Sequence, residues 1–348
     1  MGDFVKKVKY KNSLVGKGMP VVVFKGIEGW CDRLQVLAHC FAYCRKFNTA
    51  LCVDWDDAIW CGMREFDFYD SFEVVGIKTI KKEQVCRMIH VSKSRIKIVP
   101  PCWTLDELVR FPPNTMDKDH EGPLMRFEVN EKIDGDVIVT NGRGERKWDV
   151  TDLATHLRVR PKMREAIKTI LKDFNPYGTT LHLRGTDRPD KGFVENAVRY
   201  LKSKTELRIL NVITDSKELW DHIKKELPRA KLVNPNAKLL NLPPSVHGTH
   251  QTDPRELKRL GITKWDMLVD LLADWFALCF SKGGIGREES TYFSMARSLH
   301  LLGEDKVEAI LGWKPDGIII APNNEAAVLS ERVQEKASQD AGTLVPSS

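Results

Sequence analysis

Two patterns of apolar and polar positions alternate along the chain: short β-branched runs, and longer segments whose apolar residues recur at helical spacing. The first pattern predicts buried strands, since parallel strands that are covered on both faces are almost continuously apolar. In the N-terminal half it predicts strands over 20–26, 49–55, 94–101 and 136–142. The second pattern predicts a helix over 31–48, with Asp32 as its N-cap.

The same alternation continues through the second half. Strands are predicted over 179–184, 207–215, 231–235, 277–281 and 316–322. Helices are predicted over 161–174, 191–204, 216–228 and 263–276, and Asp215 and Glu218 have the spacing of a capping box before the third of these. Alternating strands and helices predict an α/β fold in which two Rossmann-like domains face each other across a cleft.

The tetrapeptide NPYG, over 175–178, ends the helix at the middle of the chain and predicts the domain boundary. We therefore expect an N-terminal domain over 1–175 and a C-terminal domain over 176–336. The polar residues over 337–348 predict a disordered tail.

Composition narrows the function without choosing it. The 348 residues are 42% hydrophobic and 29% charged, which predicts packed cores, and the net charge of +6 suits an anionic ligand or an acidic surface. There is no long Lys/Arg run, so nucleic acid is not an expected partner. The first twelve residues lack the apolar run of a leader peptide, and no apolar stretch has the length of a membrane span, so we expect a cytoplasmic protein without a transmembrane segment. Its oligomeric state stays open.

Seven of the eight cysteines lie between Cys31 and Cys102, and no pair has CxxC spacing. This usage predicts reduced and mostly buried thiols. A zinc site is not expected without close cysteine pairs. The nearest approach to a metal motif is DWDD, over 54–57, and carboxylates alone at a strand end are weak evidence for Mg²⁺.

The stretch TTLHLRGTDRPDK, over 179–191, changes from a strand pattern to a cluster of charges. In an extended chain Leu181 and Leu183 face one side, while His182 and Arg184 share the other. Open α/β sheets bind ligands at the carboxyl ends of their strands, and an arginine there can hold a phosphate with two donors. The alternative interpretation is a strand end followed by a solvated charged loop.

A second candidate anion site lies in KGGIGREESTYF, over 282–293. Its glycines predict a flexible turn, and Ser290 or Thr291 is expected to cap the helix that follows. A helix N-terminus presents free N–H groups to a phosphate, although an ordinary turn would have the same pattern.

Asp266, Asp270 and Asp274 are spaced four apart and form an acidic stripe on the helix predicted over 263–276. The default interpretation is a solvated face. The alternative is a partly buried Asp270 that accepts hydrogen bonds from a ligand. Since P-loop, nucleophile-elbow, HExxH and DxD signatures are missing, we expect an anion to be held without a metal.

Four segments, LHLRGTDR, NVITDS, VDLLADWFALCFS and EESTYFSMA, resemble in their order the motifs of the fucosyltransferase superfamily. That group includes core α1,6-fucosyltransferases, Nod-factor fucosyltransferases and protein O-fucosyltransferases. The segment GIEGWCDRLQVLAHC also resembles the opening glycine loop and helix of the group. The resemblance implies a GT-B fold, a GDP-fucose donor, inversion at the anomeric carbon, no metal, and a glycan acceptor.

The resemblance also implies roles for individual residues. Arg184 would hold the donor β-phosphate, His182 would lie beside the guanine and ribose, and Asp270 would bind the guanine edge. The other residues expected to bind substrate or donor are Asp215, Ser290, Thr291, Gly29, Asp32 and Arg33. Core α1,6 enzymes carry two adjacent arginines, and Gly185 stands in the second place here, so the α1,6 linkage is not implied.

The catalytic residues we expect are Arg184, which stabilises the departing diphosphate, and Asp187, which acts as general base or orients Arg184. Asp190, Glu195 and Asp32 are the other candidates for the base. Two further functions stay open: a transferase of the same fold that uses another nucleotide sugar, and a non-enzymatic protein that binds nucleotide or an acidic polymer.

Overall fold

The computed structural model describes residues 19–26, 29–55, 68–92, 96–101, 105, 108, 130–140, 150–185, 190–204, 207–233 and 254–315. The strand predicted at 316–322 and the tail predicted at 337–348 lie outside these residues, and so does Asp187. Two four-stranded parallel sheets, one from each half of the chain, organise the part that is described.

The N-terminal sheet contains β1 (Val21–Lys25), β2 (Ala50–Asp54), β4 (Ile98–Val99) and β5 (Val137–Thr140). Its strand order is β2-β1-β5-β4, and all three pairings are parallel. Every residue of β1, β2 and β5 is buried, as expected for strands covered on both faces. These predicted strands are confirmed, and the one predicted over 94–101 is shorter.

Helix α1 (Trp30–Phe47) follows β1 and packs its predicted apolar stripe into the core. Asp32 was expected to cap it, and this is wrong: the N-cap is Gly29, and Asp32 lies in the first helical turn. Asn48 is the C-cap of the helix, and its left-handed backbone (φ 49°) ends the helical turn.

Shorter elements complete the first half. A two-stranded antiparallel sheet pairs β3 (Phe72–Val74) with β6 (Leu157–Val159). The helices are α2 (Phe68–Ser71), α3 (Lys82–Ser92), α4 (Thr151–His156) and α5 (Pro161–Ile170), the last followed by a 3₁₀ turn (Leu171–Asp173). Helix α5 begins at Pro161 as predicted, because the fixed φ of proline suits the first helical position.

The C-terminal sheet contains β7 (Thr179–Leu183), β8 (Ile209–Thr214), β9 (Lys231–Val233) and β10 (Gly283–Ile285). Its order is β10-β7-β8-β9, again all parallel. Gly283 and Gly284, expected in a flexible turn, therefore lie in an edge strand, where they pair with Thr179 and Thr180 and Ile285 pairs with Leu181. Helices α6 (Lys191–Ser203) and α7 (Lys217–Glu226) connect β7, β8 and β9.

The strand predicted at 277–281 is wrong. After α8 (Pro254–Arg259), helix α9 runs from Lys264 to Phe280 without a break and includes those residues. The last eight residues of α9, from Ala273 to Phe280, are all buried, and all but Asp274 are apolar. A short apolar run inside such a helix has the same pattern as a buried strand. The chain then forms β10, α10 (Thr291–Leu301) and α11 (Glu304–Leu311).

One hydrophobic cluster extends from the N-terminal sheet to the last helices. It includes buried residues of β1 and α1 as well as α9, α10 and α11. Trp30, at the start of α1, meets Trp275 of α9 edge to face, with ring centroids 6.1 Å apart. The first turn of α1 is therefore anchored against a helix from the second half of the chain.

Candidate functional site

The strand order of the C-terminal sheet locates the candidate site. From β7 the chain moves outward to β8 and β9, and then returns to the other side of β7 as β10. The strand order thus reverses between β7 and β10, and open α/β sheets bind ligands at the carboxyl ends of the strands at such a reversal. The LHLRG segment ends β7 there, and the loop after β10 leads into α10.

His182 lies on the face of β7 opposite Leu181 and Leu183, as the alternation predicts. The two leucines pack in the cluster with α6, while the imidazole stacks on the first turn of α10. Its ring centroid is 5.5 Å from that of Tyr292 and 6.0 Å from that of Phe293, with interplanar angles of 24° and 11°. Tyr292 and Phe293 therefore form an aromatic wall on one side of the candidate site.

Burial, and to a smaller extent the positive charge of Arg184, lowers the pKa of His182 to about 4. The imidazole is consequently neutral at physiological pH. A neutral ring can stack on aromatic or heterocyclic rings while one ring nitrogen donates a hydrogen bond and the other accepts one.

Arg184 directly follows β7, and its side chain is exposed. Its charge also acts on the thiol of Cys31, in the first turn of α1. The pKa of that thiol is raised well above its ordinary value, by burial first and by Asp32 and Cys279 after it, and Arg184 opposes the rise. Arg184 therefore lies near the N-terminus of α1, where the two halves of the chain meet.

Gly185 is clamped by the segment that follows β8. Its N–H donates to Asp215 Oδ1 at 2.7 Å, and a Cβ at this position would lie 2.4 Å from Ser216 Cβ. The capping box predicted from Asp215 and Glu218 is wrong, because Ser216 is the N-cap of α7 and accepts from the N–H of Leu219. Asp215 contacts the backbone of the predicted site instead.

Ser290 is the N-cap of α10, one of the two caps predicted, and its hydroxyl accepts from the N–H of Phe293 at 3.4 Å. Thr291 is the first residue of the helix, and both side chains are half-buried. The hydroxyl of Tyr292 donates to the carbonyl oxygen of Leu271 at 2.6 Å and joins α10 to α9. The start of α10 is thus rigidly placed beside the end of β7.

The acidic stripe is not a solvated face. Asp270 and Asp274 are only 4% and 5% exposed, while Asp266 forms a capping box with Thr263 at the start of α9. Asp274 raises the pKa of Tyr292, second to burial, so this carboxylate borders the aromatic wall. Asp270 lies one helical turn away on the same face.

The three residues predicted from α1 have different surroundings. Gly29 is the N-cap, and a Cβ there would lie 3.2 Å from Asp32 Oδ2. Asp32 is half-buried in the same turn. Arg33 is 2% exposed, and its guanidinium lies over the ring of Trp55, 5.4 Å from the centroid, so it faces the N-terminal sheet.

Two candidate bases are used elsewhere or lie at the surface. Asp190 is the N-cap of α6, where Oδ1 accepts from the N–H of Phe193 at 3.0 Å and Oδ2 lies 3.4 Å from Arg287 Nη1. Glu195 is exposed on α6. Asp187 lies outside the described residues, so its role stays a prediction.

Sequence reasoning missed three residues of the site: Tyr292, Phe293 and Asp274. The sequence signal for Tyr292 and Phe293 was their place directly after the cap predicted at Ser290 or Thr291. The first turn of a helix at that place lies close to the end of the preceding strand. No signal distinguished Asp274 from an exposed acid, because the stripe does not tell which side of α9 is covered.

Within the described residues, no group of three His, Cys, Asp or Glu side chains could hold a metal ion. Asp54, the first carboxylate of the DWDD run, forms ion pairs with Lys25 and Lys82. The six cysteines in this part of the chain are free thiols, and five of them are buried, which agrees with the predicted reduced state. Among the helices of the same residues, none has the length and apolarity to cross a bilayer.

Comparisons with known proteins address the fold. No protein-family model and no curated protein matches the sequence. The crystal structure of the fucosyltransferase NodZ from Bradyrhizobium matches with a TM-score of 0.56 at 14% identity, over 80% of this chain and 93% of that chain. NodZ alpha-1,6-fucosyltransferase soaked with GDP-fucose matches with a TM-score of 0.52 at 15% identity, over 81% and 93%. The same enzyme co-crystallized with GDP matches with a TM-score of 0.53 at 15% identity, over 80% of this chain and 92% of that chain.

The chain has a fucosyltransferase-like GT-B fold. This confirms the predicted fold class, two Rossmann-like α/β units facing across a cleft. The domain limits at 1–175 and 176–336 stay predictions. Of the predicted site residues, His182 of β7 stacks on Tyr292, which directly follows Ser290 and Thr291 at the start of α10, and Arg184 directly follows β7.

Proposed function

We propose that this protein is an inverting, metal-independent fucosyltransferase that moves fucose from GDP-fucose to a hydroxyl of a glycan acceptor. The observation that carries the proposal is the position of Arg184 at the carboxyl end of β7 and close to α1. It lies two residues after His182, whose ring stacks on the start of α10. The fold shared with NodZ, which was solved with GDP-fucose and with GDP, supports the choice of donor.

Arg184 and the N-terminus of α10 form the diphosphate subsite in this proposal. As the bond between the anomeric carbon and the β-phosphate oxygen breaks, the sugar becomes oxocarbenium-like and negative charge collects on the departing diphosphate. A guanidinium and a helix dipole that are already in place stabilise this charge without rearrangement. The half-buried hydroxyls of Ser290 and Thr291 lie at the same helix end and would add hydrogen bonds.

The nucleoside would lie against the aromatic wall. The neutral imidazole of His182 stacks on Tyr292 and can hydrogen-bond a ribose or guanine atom. A buried carboxylate such as Asp270 suits the guanine edge, which presents two N–H donors side by side. These assignments follow the family resemblance and agree with the burial of both residues.

The acceptor would enter from the side of α1. Among the base candidates in the described part of the chain, Asp32 is the one near Arg184, because the charges of both residues shift the pKa of the Cys31 thiol. A loose transition state needs only modest assistance from a base, so a half-buried carboxylate is adequate.

Thermal unfolding with nucleotides tests the donor. GDP and GDP-fucose at about 100 times their dissociation constant should stabilise the full chain by about 2.7 kcal/mol, and UDP and dTDP should not. Stabilisation by UDP- or dTDP-linked sugars alone would favour another nucleotide sugar. No stabilisation by any of these nucleotides, together with no donor hydrolysis, would overturn the enzyme proposal.

Substitution of Arg184 tests the mechanism. Arg184→Ala should lower turnover of GDP-fucose more than tenfold, which corresponds to at least about 1.4 kcal/mol in the barrier. Arg184→Lys should be nearly as slow, because an ammonium cannot hold the phosphate with two parallel donors. Arg199→Ala removes one exposed positive charge from α6 and is the matched control. Wild-type turnover in either Arg184 variant would refute the assignment.

A further inference from the structure

The hydrogen-bond ladder between β7 and β8 ends before Arg184, the residue proposed to hold the diphosphate. Its last register pair is Leu183 with Thr214, so Arg184 and Gly185 extend beyond the sheet. A strand end in this situation is usually free to fray. Here the carboxylate of Asp215, the next residue after Thr214, accepts from the N–H of Gly185 at 2.7 Å. A side chain therefore continues the ladder by one bond.

The space where a side chain on Gly185 would lie is filled by the start of α7. A Cβ on Gly185 would lie 2.4 Å from Ser216 Cβ and 2.8 Å from Leu219 Cδ1. Ser216 is itself fixed, because its N–H donates to Thr214 Oγ1 at 3.2 Å and its hydroxyl caps the N–H of Leu219. The backbone after Arg184 is thus held by a charge-assisted hydrogen bond and by direct packing.

We propose that Asp215 is a positioning residue that aims Arg184 by holding the Gly185 amide, and that it does not itself bind the donor. The proposal rests on the proposed function in one respect, because it takes the ligand of Arg184 to be the diphosphate of the donor. It also accounts for the glycine in the place where core α1,6 enzymes carry a second arginine. Ser216 occupies the space that any side chain at 185 would need, so the turn presents one guanidinium.

The chemistry separates positioning from direct binding. Asn at 215 keeps an oxygen that accepts from the Gly185 N–H, whereas Ala removes it. A short N–H···O bond to a carboxylate is about twice as strong as a neutral one, so Asn should preserve most of the function and Ala little of it. If Asp215 acts through Arg184, its removal should have no further effect once Arg184 is absent.

Calorimetric binding of GDP and inorganic pyrophosphate to the full chain provides the first test. Asp215→Ala should weaken both ligands about tenfold, and Asp215→Asn should stay within threefold of wild type. Asp215→Ala in an Arg184→Ala background should bind like Arg184→Ala alone. Asp221→Ala, at an exposed site of α7, is the matched control. If Asp215→Asn is as weak as Asp215→Ala, or if the two losses are additive, Asp215 contacts the donor and the proposal fails.

Amide hydrogen exchange without ligand provides the second test and is independent of the enzyme's activity. Asp215→Ala should raise exchange of the Gly185 amide at least tenfold, and Asp215→Asn should raise it much less. Unchanged exchange in Asp215→Ala would overturn the positioning role even if donor affinity fell. If wild type bound neither GDP nor pyrophosphate but exchange of the Gly185 amide still depended on Asp215, the donor assignment would fail. The positioning of the Arg184 turn by Asp215 would stand.

Discussion

The imidazole of His182 stacks on the phenol ring of Tyr292, with centroids 5.5 Å apart and planes inclined by 24°. His182 comes from β7 and Tyr292 from the first turn of α10, and the Tyr292 hydroxyl is hydrogen-bonded to the Leu271 carbonyl of α9. One stack thus joins three elements around the end of the central strand. Because the ring is buried there, its protonation is coupled to folding.

The first prediction concerns stability below neutral pH. The pKa of His182 is about 4 in the folded chain and about 6.5 in the unfolded chain, so the unfolded state takes up the proton first. The contribution of His182 is fully present above pH 6.5 and is lost as pH falls towards 4. The loss is on the order of 3 kcal/mol over that window.

Urea unfolding between pH 7 and 4.5 measures this effect. His182→Phe keeps a flat ring in the stack without a titrating nitrogen, so its unfolding free energy should fall less over the same range. His222→Gln, at an exposed position on α7, is the control and should follow wild type. Parallel pH profiles for wild type and His182→Phe would show that His182 does not cause the acid sensitivity.

The second prediction compares two glycines. Gly185→Ala should destabilise the chain by about 1–3 kcal/mol and weaken GDP binding, because the new methyl overlaps Ser216 and pushes the Arg184 turn away. Gly192→Ala places its methyl in α6, where the nearest contact is an ordinary 3.5 Å to Asp190 Oδ1, and should be neutral or stabilising by up to about 1 kcal/mol. Chemical unfolding and GDP titration of both variants provide the comparison. Equal behaviour of the two variants would contradict the close packing at 185.

The third prediction concerns base recognition. Asp270→Asn keeps the size of a residue that is 4% exposed but leaves one oxygen to face two guanine donors. We expect GDP affinity to fall about tenfold or more, with pyrophosphate affinity unchanged. The comparison needs calorimetry with both ligands and the exposed Asp221→Asn as control. A parallel loss for pyrophosphate would indicate a change in the helix core, and unchanged GDP affinity would refute the guanine contact.

The fourth prediction separates a helix cap from a general base. Asn is as good an N-cap as Asp, so Asp190→Asn should preserve unfolding free energy and turnover within threefold. Asp190→Ala should lower the unfolding free energy by about 1 kcal/mol. A general base would behave differently, since its amide analogue typically loses 100-fold or more in turnover. A 100-fold loss of turnover in Asp190→Asn would indicate that Asp190 acts as the general base.

Local pattern was sufficient for much of the fold. β-Branched runs and helical spacing placed β1, β2, β5, β7 and β8, as well as helices α1, α5, α6 and α7, because burial on a sheet or on a helix face requires that periodicity. The alternation along β7 also placed Leu181 and Leu183 on one face and His182 on the other. The order of the motifs was enough to suggest the GT-B class.

The pattern failed where one sequence suits two environments. A helix that is apolar on nearly all sides has no periodic signal at its end, so the last residues of α9 were predicted as a strand. Aspartates spaced four apart predict a shared face but not what covers it, and packing of α9 against other helices decided that Asp270 and Asp274 are buried.

The sequence by itself determined which residues are available at the end of β7: an imidazole at 182, a cation at 184 and a glycine at 185. Only the tertiary structure decided what those side chains meet. The Asp215 carboxylate on Gly185, the Tyr292 ring on His182 and the α1 turn near Arg184 all come from distant parts of the chain. Contacts of this kind depend on sheet order and helix packing, which are set by the burial of the whole apolar core and leave no periodic signal in the residues concerned.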